Sequence, residues 1–182
     1  MFLHKLPLAL IALIALLGCR STERRETTRG PDLGVPARAA DFAAWDISID
    51  TDGIGLPPGA GSVKDGAAVY REKCAACHGE TGSEGPLDRL AGGSGHLTDE
   101  QPMKTVGSYW PYATTLFDYT RRAMPYQQPK SLTDDEVYAV SAYLLFLNGI
   151  VDETFTADAR TLPRVAMPNR NGFDSAWPLA DP

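Results

Sequence analysis

A chain of 182 residues has room for one domain with extensions. It is acidic, with 23 Asp and Glu against 17 Lys and Arg for a formal net charge of −6, and this balance speaks against nucleic-acid binding. Only three cysteines, three histidines and four methionines are present, so each can be weighed singly.

Residues 1–18 carry a short basic start at Lys5 and an apolar run from Leu8 to Leu17. That run is shorter than the roughly 20 apolar residues needed to span a bilayer, and it fits the apolar region of a secretory signal. It ends in Leu16-Leu17-Gly18-Cys19, which resembles a bacterial lipobox. The expectation is a lipoprotein signal peptide over 1–18 and a lipid-modified Cys19 tethering a periplasmic protein to a membrane. An ordinary signal peptide with an incidental cysteine is the alternative. Residues 19–40 are rich in Arg, Thr, Glu, Pro and Gly with no apolar period, and read as a flexible tether. Residues 41–61 differ, carrying Phe42, Trp45, Ile47, Ile49, Ile54 and Leu56. Gly53, Gly55, Pro57, Pro58 and Gly59 break this stretch too often for a helix, so it reads as an extended arm that needs an apolar surface, its own domain's or a partner's.

A compact domain is expected over 62–150. Ser62, with Asp65 three residues on, resembles a capping box and opens a helix running through Lys73, with Gly66 and Tyr70 on one face. That helix delivers Cys74-Ala75-Ala76-Cys77-His78. From Gly79 to Gly107 the chain is glycine-rich and polar and reads as loops. Trp110-Pro111 is expected to start a short helix to about Ala123, with Leu116, Phe117 and Thr120 inward. In the last helix Thr133 and Glu136 form a capping box, Val137, Val140, Tyr143, Leu144 and Leu147 recur at helical spacing, and Asn148-Gly149 closes it. No alternating strand and no internal repeat stands out. Residues 151–182, with several prolines and scattered apolar residues, read as an extended C-terminal tail.

Cys-x-x-Cys-His is the attachment sequence of c-type haem. Two thiols three residues apart on one helical turn can each form a thioether to one edge of the porphyrin, and the following imidazole, His78, then lies under the iron. The alternatives are a thioredoxin-like dithiol, half a zinc site, or coincidence. With Cys74 and Cys77 used by haem, Cys19 would be an unpaired thiol in an oxidising compartment, which favours its lipidation. The second axial ligand decides between electron transfer and ligand binding at an open iron. Met124, followed by Pro125 in the loop between two helices, is the expected ligand; Met103 in the glycine-rich loop and Met167 in the tail are its rivals. His96 reads as a solvent-exposed histidine. The other ring nitrogen of His78 needs an acceptor, for which the carbonyl of Pro86 is the candidate. Arg121 and Arg122, beside Met124, are candidates for steering an acidic partner or pairing with a haem propionate.

The order Gly66-x-x-x-Tyr70, Cys74-x-x-Cys77-His78, Pro86, Met124-Pro125 and a final helix bearing Tyr143 resembles class I cytochrome c. The resemblance implies an all-α fold whose first and last helices cross at Gly66, holding one covalent haem c through Cys74 and Cys77 with His78 and Met124 as axial ligands. A narrower resemblance rests on Asp52-Gly-Ile-Gly-Leu-Pro-Pro-Gly, Thr105-Val-Gly-Ser-Tyr-Trp-Pro-Tyr, Arg121-Arg-Ala-Met-Pro and Met167-Pro-Asn-Arg-Asn-Gly-Phe. These look like the cytochrome subunits of bacterial sulfite dehydrogenases and of the sulfur dehydrogenase in the Sox thiosulfate-oxidising system. This implies no catalysis by the chain itself: a molybdenum subunit would oxidise the sulfur substrate and pass electrons singly to this chain, which would hand them to a downstream cytochrome or oxidase. The lipoprotein signal departs from soluble heterodimers of that kind. A stand-alone periplasmic carrier, with arm and tail folded back on the domain, is the alternative, and a haem enzyme or gas sensor with an open iron position is another.

Overall fold

The structure, a computed structural model, describes residues 34–174. The expected signal peptide, Cys19 and most of the tether lie outside the described residues, as do residues 175–182 of the tail. The described residues 34–42 belong to a unit separate from the rest. Its described part holds a one-turn helix, α1 (Ala39–Phe42), fixed locally by Arg38, whose backbone N–H and guanidinium both donate to Asp41 at 2.9 Å.

From Ala43 onward the chain forms the second unit. In order it contains β1 (Ala60–Ser62), α2 (Val63–Lys73), α3 (Ala75–His78), α4 (Ala113–Ala123), α5 (Asp134–Leu147), β2 (Thr156–Asp158) and a 3-10 turn at Leu162–Arg164. None of the described helices is long and apolar enough to cross a membrane.

Both caps form where the sequence places them. The Ser62 hydroxyl accepts from the Asp65 N–H at 3.1 Å and donates to the Asp65 carboxylate at 2.6 Å, a shortened version of the box in which the acid takes the hydroxyl proton. At α5 the box is complete, with Glu136 N–H donating to Thr133 Oγ1 at 3.2 Å and Thr133 N–H to Glu136 Oε2 at 2.8 Å. The helix α4 starts at Ala113 rather than at Trp110-Pro111. Pro111 biases the residue before it toward extended backbone, and Tyr112 is itself extended, so the first helical turn must wait. Leu116, Phe117 and Thr120 face inward and are buried as expected.

The core centres on α5. A Cβ added to Gly66 would collide with the carbonyl oxygen of Ala139 and come within 2.5 Å of its carbonyl carbon and 2.8 Å of Tyr143 Cβ. Gly61, in β1, is held equally close to the backbone of the same alanine. Ala139 is therefore gripped between two residues that have no side chain. Beside the crossing the rings of Tyr70 and Tyr143 lie 5.3 Å apart, and on the other side of α5 those of Phe117 and Tyr138 lie 4.4 Å apart. Lys73, at the end of α2, donates to Glu136 at 2.6 Å and ties the haem-motif end of α2 to the start of α5.

The strands correct the expectation of none: β1 and β2 pair antiparallel, with Gly61 opposite Ala157. Each is three residues long and buries only its central residue, too short to display a period of two. Through this ladder the tail joins the core, where Ala157, Leu162, Val165 and Met167 are buried. The arm is tied down by side chains of α4 and α5. Asp118 accepts from Ile49 N–H at 3.2 Å, Thr114 Oγ1 donates to Thr51 O at 3.2 Å, Tyr138 OH donates to Pro57 O at 2.8 Å, and Asp135 accepts from Ala60 N–H at 2.9 Å. Its first residues are not covered this way, for Trp45 is 78% exposed and meets Lys130 Nζ 5.4 Å from its ring centroid.

Two predictions follow from these contacts. Alanine has a helix propensity about 1 kcal/mol better than glycine, but overpacking a close backbone approach costs about 1–3 kcal/mol, so Gly66→Ala should be net destabilising and lower the denaturant midpoint of the protein. The ammonium of Lys73, aided by the Thr133 N–H, holds the Glu136 carboxyl below its ordinary value of 4.5. A depressed carboxyl contributes stability above its unfolded pKa and loses it as pH falls through the folded value. Glu136→Gln should therefore be less stable by about 1 kcal/mol at pH 7 in equilibrium unfolding, with the difference closing as pH falls below the ordinary carboxyl value.

Candidate haem-attachment site

Cys74 ends α2 and begins α3, its N–H still donating to Tyr70 O at 2.9 Å while the N–H groups of Cys77 and His78 turn back to its own carbonyl at 3.1 and 3.0 Å. This single turn presents Cys74 and Cys77, three residues apart, with His78 next to them. Both cysteines are partly buried and neither forms a disulfide with another described cysteine; burial pushes the Cys74 thiol up to about 11.

The His78 ring is oriented from its Nδ1, which lies 2.7 Å from the carbonyl of Asp88. A carbonyl can only accept, so Nδ1 carries the proton and the Nε2 lone pair is left for a metal. The acceptor is Asp88 and not Pro86 as expected. Gly85 runs hard against the backbone of Cys77 and His78, Leu87 N–H donates to Cys77 O at 3.0 Å, and the carbonyl level with the ring comes two residues beyond Pro86. On the other side of the motif Tyr70 OH donates to Gly79 O at 2.8 Å, and burial raises the Tyr70 phenol above its ordinary range, which keeps it a donor. The next turn is closed by Glu84. Its carboxylate accepts from Thr81 Oγ1 at 2.5 Å, from Thr81 N–H at 2.9 Å and from Ser83 N–H at 3.0 Å, and these bonds lower it to about 2.

Asn148 has a larger role than closing its helix. Its amide donates to Leu144 O at 2.8 Å and Leu90 O at 3.1 Å and accepts from Gly92 N–H at 3.2 Å, pinning the glycine-rich loop to the end of α5. Thr105 Oγ1 holds the same loop through Gly92 O at 2.6 Å. A C-terminal asparagine signals a helix end; nothing local in the sequence says which distant loop it will bind.

The four candidate second ligands are differently placed. Met124 caps α4 with extended backbone, is half-buried, and leads through a cis peptide into Pro125. Met103 Sδ lies 3.7 Å from an Arg89 nitrogen, packed on the glycine-rich loop. Met167 is 3% exposed within the core. His96 is exposed, as expected, and pairs with Asp99 at 2.6 Å. Arg121 and Arg122 are engaged within the chain, Arg121 with Asp134 at 2.9 Å and Arg122 with Asp118.

A cavity of about 250 Å³ between the loop and the tail, lined in part by Ser94, Thr98, Ser108 and Asn169, borders none of Cys74, Cys77, His78 or Met124. The donor chemistry marks this site, not its shape. Among the described residues no three His, Cys, Asp or Glu side chains gather into a metal-holding cluster. Two thiols one turn apart beside an imidazole with a free Nε2 are the donors that a c-type haem takes up.

Comparison with known proteins bears on this directly. A family model described as cytochrome c oxidase, cbb3-type, subunit III, matches residues 61–144. Among solved structures, the chain is similar to one in the crystal structure of the sulfane dehydrogenase SoxCD from Paracoccus pantotrophus, with 43% identity and a TM-score of 0.74 over 79% of this chain and 71% of that one. No curated protein matches.

Replacing Asn148 by Ala takes the partner from the Gly92 N–H and one of two donors from Leu90 O, which keeps Val106 N–H at 3.2 Å, a loss of about 1 kcal/mol. The expected result in the full-length protein is faster amide exchange at residues 90–95, with α5 still protected.

Proposed function

This chain belongs to the class I cytochrome c family, with that family's helical fold, and on this footing we propose that it is a periplasmic cytochrome that receives single electrons from the molybdenum subunit of a sulfite or sulfur dehydrogenase and passes them to a downstream cytochrome or oxidase. The observation that carries the electron-transfer part is Cys74-x-x-Cys77-His78 on one helical turn with His78 Nδ1 bound to Asp88 O. The observation that supports the partner is the 43% identity to a chain of a sulfane dehydrogenase over most of its length. Catalysis on the sulfur substrate belongs to the partner.

Cys74 and Cys77 would hold one haem c by thioethers, with His78 Nε2 and the Met124 thioether as axial ligands. When bound, the haem supplies reversible one-electron chemistry. The chain's own residues orient and exclude: Asp88 O fixes the imidazole and strengthens it as a donor. Among the described methionines we assign Met124 to the iron, Met167 being part of the core and Met103 lying against Arg89. With a thioether and an imidazole as its ligands, the iron would favour the reduced state more than with two imidazoles. The lipobox-like sequence at Cys19 supports a membrane-tethered periplasmic location.

One observation favours a stand-alone carrier instead. The arm from Ile49 and the tail through Met167 fold back on the domain, as an unpartnered protein would need. Isolation of the full-length protein from its own membranes separates the readings: molybdenum recovered together with iron is expected, whereas iron alone would favour the carrier.

A further inference from the structure

The two arginines before Met124 are both paired within the chain, and one of them spans a gap that matters. Arg121 lies in the last turn of α4 and Asp134 is the first residue of α5, so their ion pair closes the base of the loop 124–133. The contact is two-pronged, with Nε 2.9 Å from Oδ1 and a terminal nitrogen 3.4 Å from Oδ2. Both side chains are partly desolvated, at 21% and 35% exposure. Each charge also sits at the helix end that favours it, the cation at the C-terminus of α4 and the anion at the N-terminus of α5. Beyond this pair the loop has the contact of Lys130 with the Trp45 ring and few others. Residues 126–131 are exposed, Leu132 is its buried residue, and its internal bonds are the turns Gln128 N–H to Pro125 O and Ser131 N–H to Gln128 O. A loop so weakly packed is held mainly by what closes its ends.

We propose that Arg121 and Asp134 are positioning residues for Met124: their ion pair clasps the base of the methionine loop and keeps the thioether presented as a ligand. This rests on Met124 being that ligand. Arg122 provides an internal comparison. It carries the same charge one residue along, but its partner Asp118 lies four residues back on the same helix, so that pair does not bridge the ends of the loop 124–133.

The test uses ferric, haem-loaded, full-length protein mixed with imidazole, a neutral competitor, followed by loss of the long-wavelength sulfur-to-iron absorption band. Arg121→Gln and Asp134→Asn should each take up imidazole about three- to tenfold faster, as expected for losing a partly buried ion pair. The double variant should be no faster than either single one, Arg121→Lys should recover part of the loss, and Arg122→Gln should stay within about twofold of the parent. Unchanged rates in Arg121→Gln and Asp134→Asn, additive effects in the double variant, or equal acceleration by Arg122→Gln would overturn the clasp. A parent protein without the band, or Met124→Ala that keeps it, would overturn the ligand reading, and the clasp with it, by a result that none of the clasp variants gives.

Discussion

Where α2 crosses α5, the missing side chains of Gly66 and Gly61 let two segments close on the backbone of Ala139. This approach aligns the two helices from which the site is hung. The end of α2 becomes the turn carrying Cys74, Cys77 and His78; the start of α5 receives Lys73 through Glu136 and Arg121 through Asp134; the end of α5 holds the glycine-rich loop through Asn148. A shift of α5 by even an ångström would be felt at all of these points, because close-packed helices do not deform smoothly.

Around this frame the candidate site is held largely by backbone. The carbonyls of Asp88 and Gly79 take the His78 ring and the Tyr70 hydroxyl, and Gly85 presses against the motif where a side chain would force it away. Carbonyls fixed in a hydrogen-bonded loop are a preorganised environment that needs little rearrangement when the charge at a bound iron changes, which suits repeated one-electron transfer. The arm and the tail act as straps over the helices, and the buried Asp118 shows how: one carboxylate serves both the Ile49 N–H of the arm and the Arg122 guanidinium of α4.

What the sequence reveals and what it conceals divides by range. The helix caps at Ser62 and Thr133, the attachment motif, the inward face of α4 and the Gly66–Tyr143 crossing are legible because capping, thioether spacing and helical period are local rules, and the family pattern names the crossing. The choice of Asp88 over Pro86, the grip of Asn148 on Leu90 and Gly92, the β1–β2 ladder and the partners of Arg121 and Arg122 depend on which distant segments meet. Arg121 and Arg122 show the difference plainly. Two charges next to a proposed ligand suggest an outside partner until the fold supplies carboxylates from Asp134 and from the preceding turn.

On the proposed function, electrons reach this chain from a sulfur-oxidising molybdenum subunit. Its most direct test is to mix the native complex, isolated with its haem ferric, with sulfite or a sulfane-sulfur donor in the absence of oxygen and to follow the visible bands of the haem. The account predicts rapid reduction of the haem in the complex and none at a comparable rate in the isolated chain. A haem that stays ferric in the complex, or one reduced equally fast without the partner, would contradict it.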